Sequence, residues 1–213
     1  MKSRRSILTF SETLVFVLSL VVSSALALAE DKPTTPAKPA AAAPSQDEIM
    51  KAWVAFATPG PAHKALEVTV GTWDVQSKVW MAPGAPPQES TGTSENKMIL
   101  GGRYLEQHYE GTMMGQPFSG IGVTAFDNYK KKFVSTWIDS TGTGIMVTTG
   151  AFDKAGKVIT AWGTVDDPAF KRTMKVKTAV TIVDADHHTY ESWSAAPDGK
   201  MAKSVEVHFT RKK

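Results

Sequence analysis

The stretch from Gly101 to Ser140, GGRYLEQHYEGTMMGQPFSGIGVTAFDNYKKKFVSTWIDS, leaves a chain few ways to fold. Arg103–Glu110, Pro117–Asp127 and Lys132–Asp139 alternate at period two, the mark of half-buried strands. Gly111–Gln116 and Asp127–Lys131 supply the Gly, Asp and Asn that turns use for positive φ and Asx-type bonding. Three antiparallel strands in a meander leave an apolar face that needs a second sheet or closure into a barrel.

The same period runs through the flanking sequence. Further strands are expected at Gly71–Trp80, Ser90–Ile99, Gly144–Phe152, Val158–Val165, Thr173–Val183, His188–Ala195 and Lys203–Arg211. Pro83-Gly84, Gly101-Gly102, Asp153–Gly156, Asp166–Pro168 and Pro197–Gly199 separate them as turns. Ten short antiparallel strands joined by hairpins point to an all-β, up-and-down barrel of about ten strands rather than a Greek-key sandwich with longer crossings.

Ahead of the strands, residues 1–29 read as a removable export signal. Lys2, Arg4 and Arg5 precede an apolar run from Leu14 to Ala29, and Ala27-Leu28-Ala29 offers small residues for cleavage before Glu30. That run is shorter than the ~20 residues a bilayer span needs, so cleavage is expected to leave no membrane segment and a periplasmic or secreted protein. Residues 30–44, EDKPTTPAKPAAAAP, form a Pro/Ala-rich linker with nothing bulky to bury. The folded domain is then 45–213. Ser45 caps a helix carrying Ile49, Trp53 and Phe56 on one face, ended by Pro59-Gly60-Pro61, with a second helical turn at Ala62–Leu66. The amphipathic first helix is expected to plug the sheet or pack on it.

Charge and cysteine content exclude several functions. The formal net charge of +3 falls to +1 once the leader's three basic residues and one acidic residue are set aside, so no basic surface invites nucleic acid. The absence of cysteine excludes disulfides, thiol nucleophiles and cysteine metal sites. No Gly-x-Ser-x-Gly elbow, phosphate-binding glycine loop or His-Glu-x-x-His is present.

Gly71-Thr72-Trp73 opens the first strand and Arg211 closes the last. Closure makes those strands neighbours, so the guanidinium can cover the indole, a structural role. This pairing resembles the Gly-x-Trp and terminal-Arg signature of lipocalin-like (calycin) barrels. A wider pattern adds LGGRYLEQHYEG (100–111), GQPFSGIG (115–122), FDNYKKKFVSTWIDS (126–140), GTGIM (142–146) and the terminal Thr-Arg. It resembles a bacterial family of exported proteins known as a domain of unknown function, grouped with the calycin barrels. The resemblance implies a barrel with a central cavity and carries over no catalytic residue.

A candidate site therefore rests on the residues themselves. Tyr104, Glu106 and His108 share one strand face, as do Ser135, Trp137 and Asp139; Trp193 and the pair Glu206/His208 sit on later strands. Two assignments are open. Either the polar faces line the interior, gathering Tyr104, Glu106, His108, Trp137, Asp139 and Trp193 around a ligand, or Val205, Val207 and Phe209 point inward, the simpler pattern. The first makes the protein a carrier of a small hydrophobic or amphipathic molecule. It also permits acid–base chemistry by Glu106, His108 and Asp139, whereas a solid interior makes a structural barrel of the cell envelope. His108 and His208 are the candidate metal or haem ligands, but neither lies at metal-binding spacing, so no metal and no cofactor is assigned. His187-His188 reads as a solvated hairpin tip.

Overall fold

The computed structural model describes residues 43–213. The leader and nearly all of the linker lie outside the described residues. Ten antiparallel strands close into one barrel: β1 (Gly71–Val79), β2 (Gln88–Ile99), β3 (Tyr104–Met113), β4 (Gln116–Asp127), β5 (Lys132–Asp139), β6 (Met146–Phe152), β7 (Val158–Asp167), β8 (Arg172–Ile182), β9 (His187–Ala195) and β10 (Met201–Arg211). Each strand pairs with its sequence neighbours, and β10 returns to β1, so no sheet edge is left unpaired. The up-and-down barrel expected from the alternation is the fold observed.

Strand ends differ from expectation where the turns are tighter than the Gly/Asp/Asn stretches suggest. β3 and β4 are joined by only Met114 and Gly115, both at positive φ (52° and 74°). Two such residues make the turn that matches strand twist, so pairing extends to Met113↔Gln116.

The helical segment divides in two. α1 (Gln46–Ala57) starts on the Ser45 capping box, with Glu48 bonding back to the Ser45 amide at 2.7 Å. Contrary to the packing expected of it, α1 buries none of its residues; Ile49, Trp53 and Phe56 are exposed. Its C-terminal end is held by the Asn128 side chain, whose Nδ2 donates to the carbonyls of Ala55, Phe56 and Thr58. The plug is the shorter α2 (Pro61–Lys64) with the 3-10 turn Ala65–Thr69. Leu66 of this plug packs with Leu105, Phe133 and Ile159, flanked by Phe126, Phe152 and Val180. That end is already filled by Leu66 and the buried His63, which leaves α1 outside.

Closure is made where the first and last strands meet. Trp73 is 1 % exposed, and its indole N–H donates to the Thr69 carbonyl at 2.9 Å. The Arg211 guanidinium lies 4.2 Å from the indole centroid and donates to the carbonyls of Val68, Val70 and Ala185. One side chain thus ties β10, the plug and the β8–β9 hairpin, as the closure reading of Trp73 and Arg211 requires. Arg211→Ala is expected to cost about 2–4 kcal/mol, because three carbonyls lose donors while a cation–π contact is lost. A loss below ~0.5 kcal/mol in urea denaturation would remove Arg211 from the closure.

Candidate functional site

Cross-strand register fixes which face of every strand points inward, starting from buried Trp73. Trp73 sits opposite Arg211, Val75 opposite Phe209, Ser77 opposite Val207 and Val79 opposite Val205. The apolar face of β10 is therefore inside, and Glu206 and His208 are outside. There Lys203 bridges Glu191 and Glu206, and His208 Nε2 lies 3.1 Å from Glu206. The Lys203 ammonium holds the Glu206 carboxyl below its usual range, with His208 adding to the effect.

This register corrects the polar-inside assignment for four residues. Inward positions on β3 are Leu105, Gln107 and Tyr109, so Tyr104, Glu106 and His108 face out. Glu106 pairs there with Lys97 (3.0 Å) and His108 (3.2 Å), an exposed ion cluster worth little stability. Trp193 is also outward, with the Lys177 and Lys203 ammonium groups 4.9 and 5.7 Å from its ring. The two remaining candidates, Trp137 and Asp139, point inward, since they pair with Gly122 and Gly120 on the inner face of β4. Asp139 sits at the rim. Its Oδ2 accepts from the Trp137 indole N–H (2.9 Å) and its Oδ1 from the Thr141 amide and hydroxyl. Glu106 and Asp139 thus lie on opposite sides of the wall and form no carboxylate pair. His108 and His208 both face outward. Among the described residues, no cluster of three potential ligands is poised to hold a metal ion.

What lines the interior is a different set. Tyr109 lies flat across Gly92 and Gly111, and Trp137 lies across Gly120 and Gly122. A Cβ at Gly120 would occupy the Trp137 ring's place, so the glycine is what lets the indole lie against the wall. Gly120→Val is expected to swing Trp137 into the lumen, shift its fluorescence emission and cost about 1–3 kcal/mol by overpacking. An unchanged emission spectrum would contradict that geometry. Tyr190 projects inward between Val180 and Val207, and its surroundings push the phenol's pKa up through desolvation.

Polar groups form a band among these rings. Gln107 donates to Ser94 (3.0 Å), Ser94 to Asn96 (2.9 Å), and Asn96 to the Thr69 carbonyl of the plug (2.9 Å). Thr124 and Ser135 share a hydrogen bond of 2.9 Å across β4 and β5. Gln107, Thr124, Ser135, Trp137 and Tyr190 all keep accessible surface although they face inward. The described plug covers one end, while the rim carrying Met113, Asp139 and Met146 lies at the other.

His188 overturns the hairpin-tip reading. His187 is exposed and pairs with Asp184, whereas His188, one position on, turns inside. Its ring stacks on Phe209 (4.2 Å, 8°) and meets Trp73 edge-on (4.3 Å). Its Nδ1 is buried with no hydrogen-bond partner among the described residues. Burial, with Arg211 nearby, pushes its pKa down to about 4, so it is neutral at pH 7.

The chain matches, over residues 58–211, the family described as a protein of unknown function (DUF1579). It belongs to that family. No curated protein sequence matches it. Among solved structures, Rv2717c from M. tuberculosis is similar at 15 % identity and a TM-score of 0.56, covering 73 % of this chain and 100 % of that one. The S-type phycobiliprotein lyase CPES from Guillardia theta is similar at 10 % identity and a TM-score of 0.48, over 76 % of this chain and 97 % of that one. The first of these likenesses shows the barrel fold that this DUF1579 member shares.

Proposed function

We propose that this DUF1579 protein is an exported, calycin-like barrel that binds a small apolar or amphipathic molecule in its interior. The observation that carries the reading is the lining itself. Trp137 and Tyr109 are laid back against glycines, and Gln107, Thr124, Ser135 and Tyr190 keep accessible surface inside a closed wall. Gln107 bonds to Ser94 and Thr124 to Ser135, yet these side chains keep accessible surface and spare hydrogen-bonding capacity toward the interior. Aromatic faces with a few convergent polar groups are what a small-molecule pocket presents. Acid–base catalysis by Glu106, His108 and Asp139 is not favoured, because two of the three lie outside the barrel. Export rests on the leader of residues 1–29; cell fractionation and sequencing of the mature N-terminus should find Glu30 first outside the cytoplasm, and an intact Met1 in the cytoplasm would refute it.

Binding is tested by titrating the protein with a panel of fatty acids, retinoids and aromatic amphiphiles while following tryptophan fluorescence. Saturable quenching is expected, reduced at least tenfold in affinity by Trp137→Ala, which removes a stacking face. Wild-type fluorescence indifferent to the whole panel would point to a packed structural barrel.

A further inference from the structure

The outer wall is divided in a way that ligand binding does not explain. Strands β8–β10 and β1–β3 carry ion pairs on their outer face, among them Lys97–Glu106, Lys78–Glu89 and the Lys203 cluster. Among the described residues, the outer face of β4–β7 carries one only at the β4–β5 turn, Lys130–Asp127, and none along its middle. No outward position from Ser119 through Ala125, Val134 through Ile138, Val147 through Ala151 or Thr160 through Thr164 is ionisable.

On that face the large apolar side chains are contiguous. Ile121 pairs directly with Ile138 across β4 and β5. Ile138 is the diagonal neighbour of Val147, which pairs with Thr136, and Val147 is the diagonal neighbour of Trp162, since Thr164 is its direct partner. Ile121, Ile138, Val147 and Trp162 are 39, 44, 46 and 51 % exposed. Single exposed apolar residues are ordinary, but an uncharged stripe crossing four strands is the composition of an interface core.

We propose that this face pairs with the same face of a second copy of the chain. Three observations favour a second copy over another partner. First, the stripe itself is uncharged and the nearest cation, Lys175 opposite Thr164, lies at its β8 border, so a twofold axis through the stripe brings no like charges together at its centre. Second, the face carries both a projection and a hollow, side by side. Trp162 forms one wall of a shallow open depression whose other walls are Val147, Thr149, Gly163, Thr164 and Lys175. A twofold axis between them seats each indole in the other copy's hollow, against the Lys175 ammonium, a cation–π contact. Third, the size fits a modest pair. At ~4.8 Å between strands and ~6.8 Å between same-face side chains, the stripe spans roughly 19 by 20 Å per copy. With the hollow and rim this approaches the lower bound of about 1,000 Å² in total for a specific interface, so a dissociation constant on the order of micromolar is expected.

Sedimentation equilibrium of the purified protein tests this. Wild type is expected to fit a monomer–dimer equilibrium through a mainly apolar interface, its constant changing less than about tenfold between low and high salt. Trp162→Glu and, separately, Ile138→Lys should each weaken it about 100-fold or more, with far-UV circular dichroism and melting temperature kept, since both side chains are exposed. Glu110→Lys, on the charged half, should leave it unchanged. A wild-type protein that stays monomeric up to ~200 µM overturns the proposal, as does a dimer indifferent to both substitutions. Both results are read without any ligand, so failure here leaves the binding proposal to its own test.

Discussion

Replacing Trp73 by Ala is expected to lower folding stability by about 3–5 kcal/mol. The indole is 1 % exposed and is the common neighbour of Arg211, His188 and the plug carbonyl of Thr69. Its removal opens a cavity where β1 meets β10. It also strips the Arg211 guanidinium of the ring it covers, so two closure contacts fail together. Urea denaturation of wild type and Trp73→Ala gives the difference directly. A loss under ~1 kcal/mol would mean that closure is carried by the strand hydrogen bonds alone.

Stability is expected to fall on mild acidification, through His188. Its folded-state pKa is about 4, against the ordinary 6.5 of an exposed histidine. As pH drops below about 6.5 the unfolded chain takes up this proton and the folded chain does not, so the unfolded state gains. The contribution is complete above pH 6.5, declines down to pH 4, and amounts to on the order of 3 kcal/mol in total. Below pH 4 both states carry the proton and this group adds no further slope. His63 in the plug is also lowered by burial and tilts stability in the same direction. The effect of His188 is therefore read as the difference between wild type and His188→Phe. The variant should be flatter between pH 6.5 and 4.5, and parallel curves would place His188 in contact with water.

The architecture was legible because strand alternation and turn residues are local signals that need no knowledge of the partner strand. Trp73 and Arg211 were legible because chain ends meet in any closed meander. The inner face was harder, since β3 offers Tyr104, Glu106 and His108 on one side and Leu105, Gln107 and Tyr109 on the other. Both faces mix aromatic and polar groups, so alternation alone does not say which is buried. Extending the register outward from Trp73, strand by strand, was the signal that would have placed Gln107, Tyr109 and Tyr190 inside and Trp193 outside. His187 and His188 show the same difficulty in miniature, adjacent residues on opposite faces of one strand. The apolar stripe of α1 suggested packing, but Leu66 and His63 from the following nine residues already fill that end.

Whether the interior holds a ligand is tested most directly by native mass spectrometry of the protein purified from the cells that export it, beside a Ser135→Phe variant. Ser135 faces the middle of the lumen, so Phe there should fill the space a ligand needs. A mass excess that denaturation releases is expected on wild type and absent from a Ser135→Phe protein that still melts cooperatively within ~1–3 kcal/mol of wild type. A bare polypeptide mass for wild type, before and after incubation with the amphiphile panel, would contradict ligand binding and leave a barrel whose interior serves only its own fold.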